Sequence, residues 1–189
     1  MGRVYLIRHG KPAAVWGEAD PDPGLDEIGA AQAEAAARTI LALPVAERPT
    51  RVASSPLRRC HETALPLARA LGVEVAIDPD VGEIPTPAHL APEARGAWLR
   101  DSMAGEWSAI VGDIDYDVWR RRVAAAVAAR PGWAIFSHFV AINGVISLVR
   151  GENQVVAFRP DHVSRTSLEV GEGGLSLIQL GPEAATRVN

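Results

Sequence analysis

Two adjacent side chains near the start of the chain are suited to phosphoryl chemistry. Arg8 and His9 directly follow the apolar run 4–7, which predicts a buried strand that ends at these two residues. An imidazole nitrogen can attack phosphorus, and a guanidinium can hold phosphate oxygens in a bidentate fork. Ligands of open α/β sheets bind at the carboxyl ends of the strands. This segment therefore indicates phosphoryl transfer through a histidine.

Two further predicted strands also end in polar side chains. Residues 51–54 lead into a helix that carries Arg59, and residues 133–137 end at His138. Because the carboxyl ends of parallel strands lie at one edge of a sheet, these groups can converge with Arg8 and His9 there.

The elements that must position these groups alternate between strands and helices. We predict strands at 3–8, 51–54, 73–77, 133–137, 164–170 and 175–180, and helices at 27–43, 56–71, 115–130 and 139–150. Asp26 and Ser55 are the expected N-caps of the first two helices, and Pro66 should kink or break the second. The alternation predicts an α/β fold, a three-layer sandwich with a mainly parallel central sheet flanked by helices.

One long stretch, residues 78–114, carries no clear pattern. It is rich in proline and glycine and contains Trp98 and Trp107. Long irregular segments often serve as lids or binding loops, and the tryptophans suit anchoring such a segment on the body of the protein. We expect one domain over residues 1–189, with 78–114 as a lid-like insertion.

Composition excludes several classes of protein. The 189 residues are 48% hydrophobic and 22% charged, which allows one sizeable core. The formal net charge of −4 argues against a general nucleic-acid binder. Cys60 is the single cysteine, so no intrachain disulfide is possible, and no CxxC or HExxH spacing suggests zinc. No apolar run approaches the roughly 18 residues of a membrane span. We expect a cytoplasmic protein without metal or other cofactor, bound to neither nucleic acid nor membrane.

Five segments in order carry a more specific pattern. They are Arg8-His9-Gly10; the helix start at 25–33; Ser54-Ser55-Pro56-Leu57-Arg58-Arg59 with Thr63-Ala64; Gly82-Glu83-Ile84; and Ser137-His138 before a helix. This pattern resembles the histidine phosphatase superfamily, also called the phosphoglycerate mutase-like family. The resemblance covers most of the chain and implies a phosphoglycerate mutase-like fold.

For the phosphoryl group, the resemblance implies a nucleophile and an arginine clamp. His9 would form a phosphohistidine by in-line attack, with its other nitrogen held as a donor by a backbone carbonyl near Gly10. Arg8 and Arg59 would hold the phosphoryl oxygens. Arg59 has the spacing of the family, whereas the preceding Arg58 would point about 100° away on a helix and is expected in solvent.

The resemblance also implies the remaining roles. His138 would donate to a phosphate oxygen as an imidazolium that the phosphate stabilises. Glu83 would be the general acid that protonates the leaving oxygen and then activates water, which requires a raised pKa. Gly10 would let backbone and phosphate approach closely, and Lys11 would bind an anionic group of the substrate.

Departures from the family pattern favour hydrolysis over transfer. Lys11-Pro12 stands where the mutases carry Glu-Ser, and Trp16 is followed by Gly17 where they carry asparagine. Phe139 stands where glycine commonly follows the second histidine, which keeps an impaired module among the alternatives. We therefore favour a metal-independent phosphomonoesterase that acts on a small phosphorylated substrate through a phosphohistidine. The alternatives are a phosphoglycerate mutase-type phosphotransferase and a catalytically impaired phosphate-binding or scaffold module. The two final strands are candidates for pairing in a homodimer.

Overall fold

The computed structural model describes residues 2–14, 20 and 22–184; Trp16 and Gly17 lie outside this range. The strands are β1 (Gly2–Arg8), β2 (Arg51–Ser54), β3 (Val75–Ile77), β4 (Trp133–Ser137), β5 (Arg165–Gly171) and β6 (Gly174–Gln179). The helices are α1 (Glu27–Leu41), α2 (Arg58–Leu71), α3 (Pro92–Ala104), α4 (Tyr116–Ala128) and α5 (Phe139–Arg150). Short 3₁₀ helices lie at Val45–Glu47, Pro79–Val81 and Trp107–Ala109. Within the described ranges, no helix is long and apolar enough to cross a membrane.

The strands form one mixed sheet in the order β3-β2-β4-β1-β5-β6. The first four of these are parallel to their neighbours, and β5 and β6 are antiparallel. The predicted mainly parallel sheet is confirmed. At its carboxyl edge, the backbone N–H of His9 donates to Ser137 (3.0 Å) and that of Ser55 donates to Phe136 (3.0 Å). These bonds fix the ends of β1, β4 and β2 side by side.

The side chains of β1 alternate between the two faces of the sheet, as the pleat of a strand requires. Val4 and Leu6 belong to a buried cluster on one face, which includes residues of α4 and α5. Tyr5 and Ile7 belong to a second cluster on the other face, which includes residues of α1 and α2. A helix layer on each side of the sheet gives the predicted three-layer sandwich.

Residues 78–114 contain the helix α3, which the sequence analysis treated as irregular because of the prolines around it. The segment is tied to the larger core cluster by Val81, Ile84 and Trp107, all buried. The ring of Trp107 lies 6.0 Å from that of Trp119 in α4, measured between centroids. The expected anchoring by Trp107 is therefore present, and service as a lid stays a prediction.

Candidate active site

Four neighbouring strands bring polar side chains to one edge of the sheet. Arg59 lies in the first turn of α2 after β2, His138 directly follows β4, and Arg8 and His9 lie at the end of β1. The antiparallel strand β5 starts at the same edge, just after His162. The sequence analysis predicted the convergence of the first three strand ends but not the contribution of the fourth.

Hydrogen bonds determine which nitrogen of His9 carries its proton. Its Nδ1 lies 2.8 Å from the carbonyl oxygen of Gly10. A carbonyl can only accept, so Nδ1–H is the donor and Nε2 keeps its lone pair. Nε2 accepts from Nε of Arg59 at 3.3 Å. Burial, and then the charges of Arg59 and Arg8, lower the pKa of His9 well below its usual value. The ring is therefore neutral, and its unprotonated Nε2 is the nitrogen suited to attack.

His138 is fully buried and bonded through both ring nitrogens. Nη2 of Arg59 lies 3.2 Å from Nδ1 of His138, and Nε2 of His138 lies 2.8 Å from the hydroxyl of Ser55. Because the guanidinium can only donate, Nδ1 accepts and Nε2–H donates to Ser55. Burial and the charge of Arg59 lower the pKa of His138 well below its usual value. These surroundings favour a neutral ring, and the imidazolium expected beside a phosphate group stays a prediction.

The guanidinium of Arg8 is held on two sides. Nη1 donates to the carbonyl oxygen of Pro160 at 3.0 Å, and the guanidinium carbon lies 5.3 Å above the centroid of the Phe139 ring. Phe139, the residue that departs from the family pattern, thus supports Arg8 through a cation–π contact. Nε of Arg8 is buried without a hydrogen-bond partner among the described residues. The side chain therefore has donor capacity left for an anion.

Glu83 is brought to the same cluster by the loop after the 3₁₀ helix Pro79–Val81. Its Oε2 lies 3.6 Å from Nδ1 of His138, and its Oε1 accepts from the backbone N–H of Ile84 at 3.0 Å. Burial raises the pKa of this carboxyl, although Arg59 and Arg8 oppose the shift. Glu83 is therefore suited to carry a proton that the neighbouring His138 does not take.

The family model for the histidine phosphatase superfamily (branch 1) matches residues 4–181, and this range includes all of these side chains. The chain belongs to the histidine phosphatase superfamily.

Two curated relatives come from one species, and one of them is a phosphatase by name. A glucosyl-3-phosphoglycerate phosphatase of Mycobacterium tuberculosis is 32% identical over 149 residues, covering 69% of this chain and 63% of the relative. A bifunctional protein of the same species is 29% identical over 187 residues, covering 90% of this chain and 50% of the relative. The chain thus matches less than two thirds of the length of these curated relatives.

Solved structures confirm the fold of this superfamily member. A phosphoserine phosphatase of Entamoeba histolytica, solved with 3-phosphoglyceric acid, superposes with a TM-score of 0.76 at 20% identity, covering 96% of this chain and 98% of that one. A mycobacterial glucosyl-3-phosphoglycerate phosphatase gives a TM-score of 0.70 at 20% identity, covering 97% of this chain and all of that one.

Two predicted substrate-binding residues of the superfamily member have other contacts. Nζ of Lys11 is exposed and pairs with Asp26 at 2.6 Å. The backbone of Gly10 lies close to α1, because a Cβ there would lie 2.8 Å from the carbonyl oxygen of Gly29; its approach to phosphate stays a prediction. The backbone N–H of Gly10 donates to the hydroxyl of Thr63 at 2.9 Å. Both residues therefore lie beside the His9 segment, with contacts that the sequence analysis did not foresee.

The helix α2 starts later than predicted. Its first residue is Arg58, and Ser55 does not cap it. The backbone N–H of Arg58 instead donates to the carboxylate of Asp22 at 2.9 Å. The hydroxyl of Ser55 faces His138, so this serine orients a site histidine. Pro66 lies within α2 without ending it.

Arg59 and Arg58 are separated as the helical geometry predicted. Arg59 is buried, with 5% of its surface exposed. Arg58 lies outside the cluster and pairs with Glu62 at 2.7 Å.

Among the described residues, no group of three or more His, Cys, Asp or Glu side chains is arranged to hold a metal ion.

Three contributors were missed as functional candidates: Ser55, Thr63 and His162. The first two stand inside the motif that carried the resemblance, so their positions were visible although their contacts were not. His162 stands outside every motif quoted above. It becomes visible through the pairing of β5 with β1.

Proposed function

We propose that this protein is a metal-independent phosphomonoesterase that acts on a small phosphorylated molecule through a phosphohistidine at His9. One observation carries the proposal. The Nδ1–H of His9 is fixed by the carbonyl of Gly10, and its Nε2 lone pair faces the guanidinium of Arg59. A neutral nucleophile beside two guanidinium groups suits attack on a phosphate monoester.

In the first step, Nε2 of His9 attacks phosphorus while Arg8 and Arg59 neutralise charge on the phosphoryl oxygens. The bond between phosphorus and the ester oxygen breaks, and protonated Glu83 gives its proton to the departing alcohol. In the second step, water attacks the phosphohistidine and its proton passes to the Glu83 carboxylate. The bond between phosphorus and Nε2 then breaks, and the starting protonation states return.

Hydrolysis is favoured over transfer to a second hydroxyl. Lys11 and Pro12 stand where a mutase would carry polar residues, and Lys11 is engaged by Asp26. The phosphatase names of the M. tuberculosis and E. histolytica relatives support the same choice. The intact cluster of nucleophile, clamp and acid argues against an impaired binding module.

The test is a rapid-quench experiment with a ³²P-labelled aryl phosphate in the presence of chelator. We expect release of inorganic phosphate and a protein-bound label that is labile to acid and stable to base, as a phosphoramidate is. His9→Ala should abolish both signals. Full activity of His9→Ala, or loss of wild-type activity on adding chelator, would overturn the mechanism. Mutase activity on phosphoglycerate would support the phosphotransferase alternative instead.

A further inference from the structure

A third histidine lies beside the proposed nucleophile, on the side away from His138. Nδ1 of His162 lies 3.2 Å from the backbone carbonyl oxygen of His9. The centroids of the two rings are 5.8 Å apart, and the rings are tilted by 49°. His162 is half-buried, so it lies at the boundary between the site and solvent.

The backbone next to His162 is strained. Val163 has φ 54°, and it is the only residue other than glycine with a positive φ in the described part of the chain. A β-branched residue rarely adopts this conformation, which costs on the order of 1–3 kcal/mol. Two hydrogen bonds hold the turn in place: Val163 N–H to the carbonyl of Arg8 (3.1 Å), and Arg8 N–H to the carbonyl of Ser164 (3.2 Å). Such strain is often retained where it positions a functional side chain.

The contact with His9 determines what His162 can bind. Since the carbonyl can only accept, Nδ1 of His162 carries the proton and Nε2 is an acceptor. No described residue hydrogen-bonds to this Nε2. The charged or titratable groups facing the ring are Arg8 and His9 from β1, Asp26 before α1, and the adjacent Asp161. Burial and the charge of Arg8 lower the pKa of His162, so the ring is neutral and its Nε2 remains an acceptor at pH 7.

Two exposed cations on the segments next to His9 and Arg59 are already paired with carboxylates. Lys11 pairs with Asp26 at 2.6 Å, and Arg58 pairs with Glu62 at 2.7 Å. An anionic group of the substrate that bound Lys11 or Arg58 would have to displace one of these carboxylates. A neutral hydroxyl would need only an acceptor, and Nε2 of His162 supplies one.

We propose that His162 determines specificity by accepting a hydrogen bond, through Nε2, from a hydroxyl group of the substrate's alcohol. This inference rests on the proposed phosphomonoesterase function and adds the class of substrate, a phosphate ester of a neutral polyol.

The test compares two esters that differ in hydroxyl groups, glycerol 1-phosphate and n-propyl phosphate. Wild type should favour glycerol 1-phosphate in kcat/KM by about tenfold, the effect of one hydrogen bond. His162→Asn keeps an N–H near the position of Nδ1, and with it the bond to the His9 carbonyl, but removes Nε2. We expect this variant to lose the preference, because its kcat/KM for glycerol 1-phosphate falls further than its kcat/KM for n-propyl phosphate. His89→Asn, the same change at an exposed histidine paired with Asp113, should keep the preference.

Two outcomes would overturn the inference alone. If His162→Asn slows both esters by the same factor, His162 only supports the backbone of His9. If His162→Asn leaves both rates, and with them the preference, unchanged, the hydroxyl binds elsewhere. If wild type hydrolyses none of the three compounds, the two esters and the aryl phosphate, the proposed function is overturned, and this inference with it.

Discussion

Backbone carbonyls set the chemistry of two side chains at this site. The carbonyl of Gly10 holds His9 in the tautomer that leaves Nε2 unprotonated, and the carbonyl of His9 does the same for His162. In both rings, a backbone carbonyl is enough to determine the tautomer without a charged partner. Burial favours the neutral form of both Glu83 and His138. Glu83 is neutral when it carries a proton and His138 is neutral when it does not, so a proton in this pair belongs on Glu83.

The proton on Glu83 should matter most for poor leaving groups. Glu83→Gln should lower kcat on an alkyl phosphate by about 10²- to 10⁴-fold, because the alkoxide must be protonated as it departs. The loss on 4-nitrophenyl phosphate should be much smaller, since that phenolate leaves without a proton. In wild type, kcat/KM on the alkyl ester should fall on the alkaline side as Glu83 ionises, at a pH raised above the usual range of a glutamate.

Steady-state kinetics on the two esters measure this difference. Glu34→Gln serves as the control, because Glu34 is an exposed carboxylate paired with Arg69 on the surface. Equal losses on both esters in Glu83→Gln would contradict the role of general acid.

At the scale of elements, the backbone of the loop after His9 contacts the backbone of the helix α1. A Cβ at Gly29 in the first turn of α1 would collide with the carbonyl oxygen of Lys11 and lie 2.9 Å from its backbone nitrogen. Alanine normally stabilises a helix relative to glycine. Here the close approach reverses that expectation, because the obstacle is backbone rather than a flexible side chain.

Gly29→Ala should therefore destabilise the protein by about 1–3 kcal/mol, as overpacking does. Gly96→Ala in α3 is the matched control, since a Cβ there meets only Nη1 of Arg100 at 3.6 Å. The control should stabilise by about 0.5–1 kcal/mol. Urea unfolding of both variants measures the two changes, and a stabilised Gly29→Ala would contradict the packing described.

The sequence was sufficient for the elements whose pattern is local. The apolar runs predicted the strands that carry Arg8, His9 and His138, and the angle between adjacent helical residues separated Arg59 from Arg58. The start of α2 was wrong because Ser55 is used by His138 and the cap comes from Asp22, which is far away in sequence. A local rule cannot detect such competition for a hydroxyl.

Contacts that depend on the path of the chain were less accessible. The placement of Glu83 beside His138 was reached through the family resemblance, because the course of a proline-rich loop does not follow from periodicity. His162 depends on an antiparallel pairing between β5 and β1, for which no sequence motif was available. The helix α3 was hidden because its first residue, Pro92, is also typical of loops.

At the scale of the whole molecule, the cluster makes stability depend on pH. The pKa values of His9 and His138 lie well below those in the unfolded chain. At a pH between the folded and the unfolded pKa values, the unfolded state therefore binds more protons than the folded state. Stability from these groups is present above about pH 6.5 and is lost as the pH falls towards their folded pKa values. Glu83 acts in the opposite direction, because its raised pKa lets the folded state bind a proton above the usual glutamate range.

The two histidines, whose pKa values are strongly lowered, should change the free energy of unfolding more than the one glutamate does. We expect the free energy of unfolding to fall between pH 7 and pH 5, by up to about 1.4 kcal/mol per pH unit for each histidine. Urea titrations at the two pH values measure the fall in wild type, and in His9→Asn it should be smaller. A wild-type stability that is constant or rises towards pH 5 would contradict this balance.

The turn at 160–164 joins distant parts of the chain. Arg8 bonds to Pro160 across 152 positions, and His9 meets His162 across 153. Closing so long a loop is entropically costly, and contacts of this separation form slowly. During refolding, the side chains of Arg8 and His9 should therefore reach their final positions only after β5 has paired with β1. Recovery of activity should then mark the last step of folding, later than the signal of the helices.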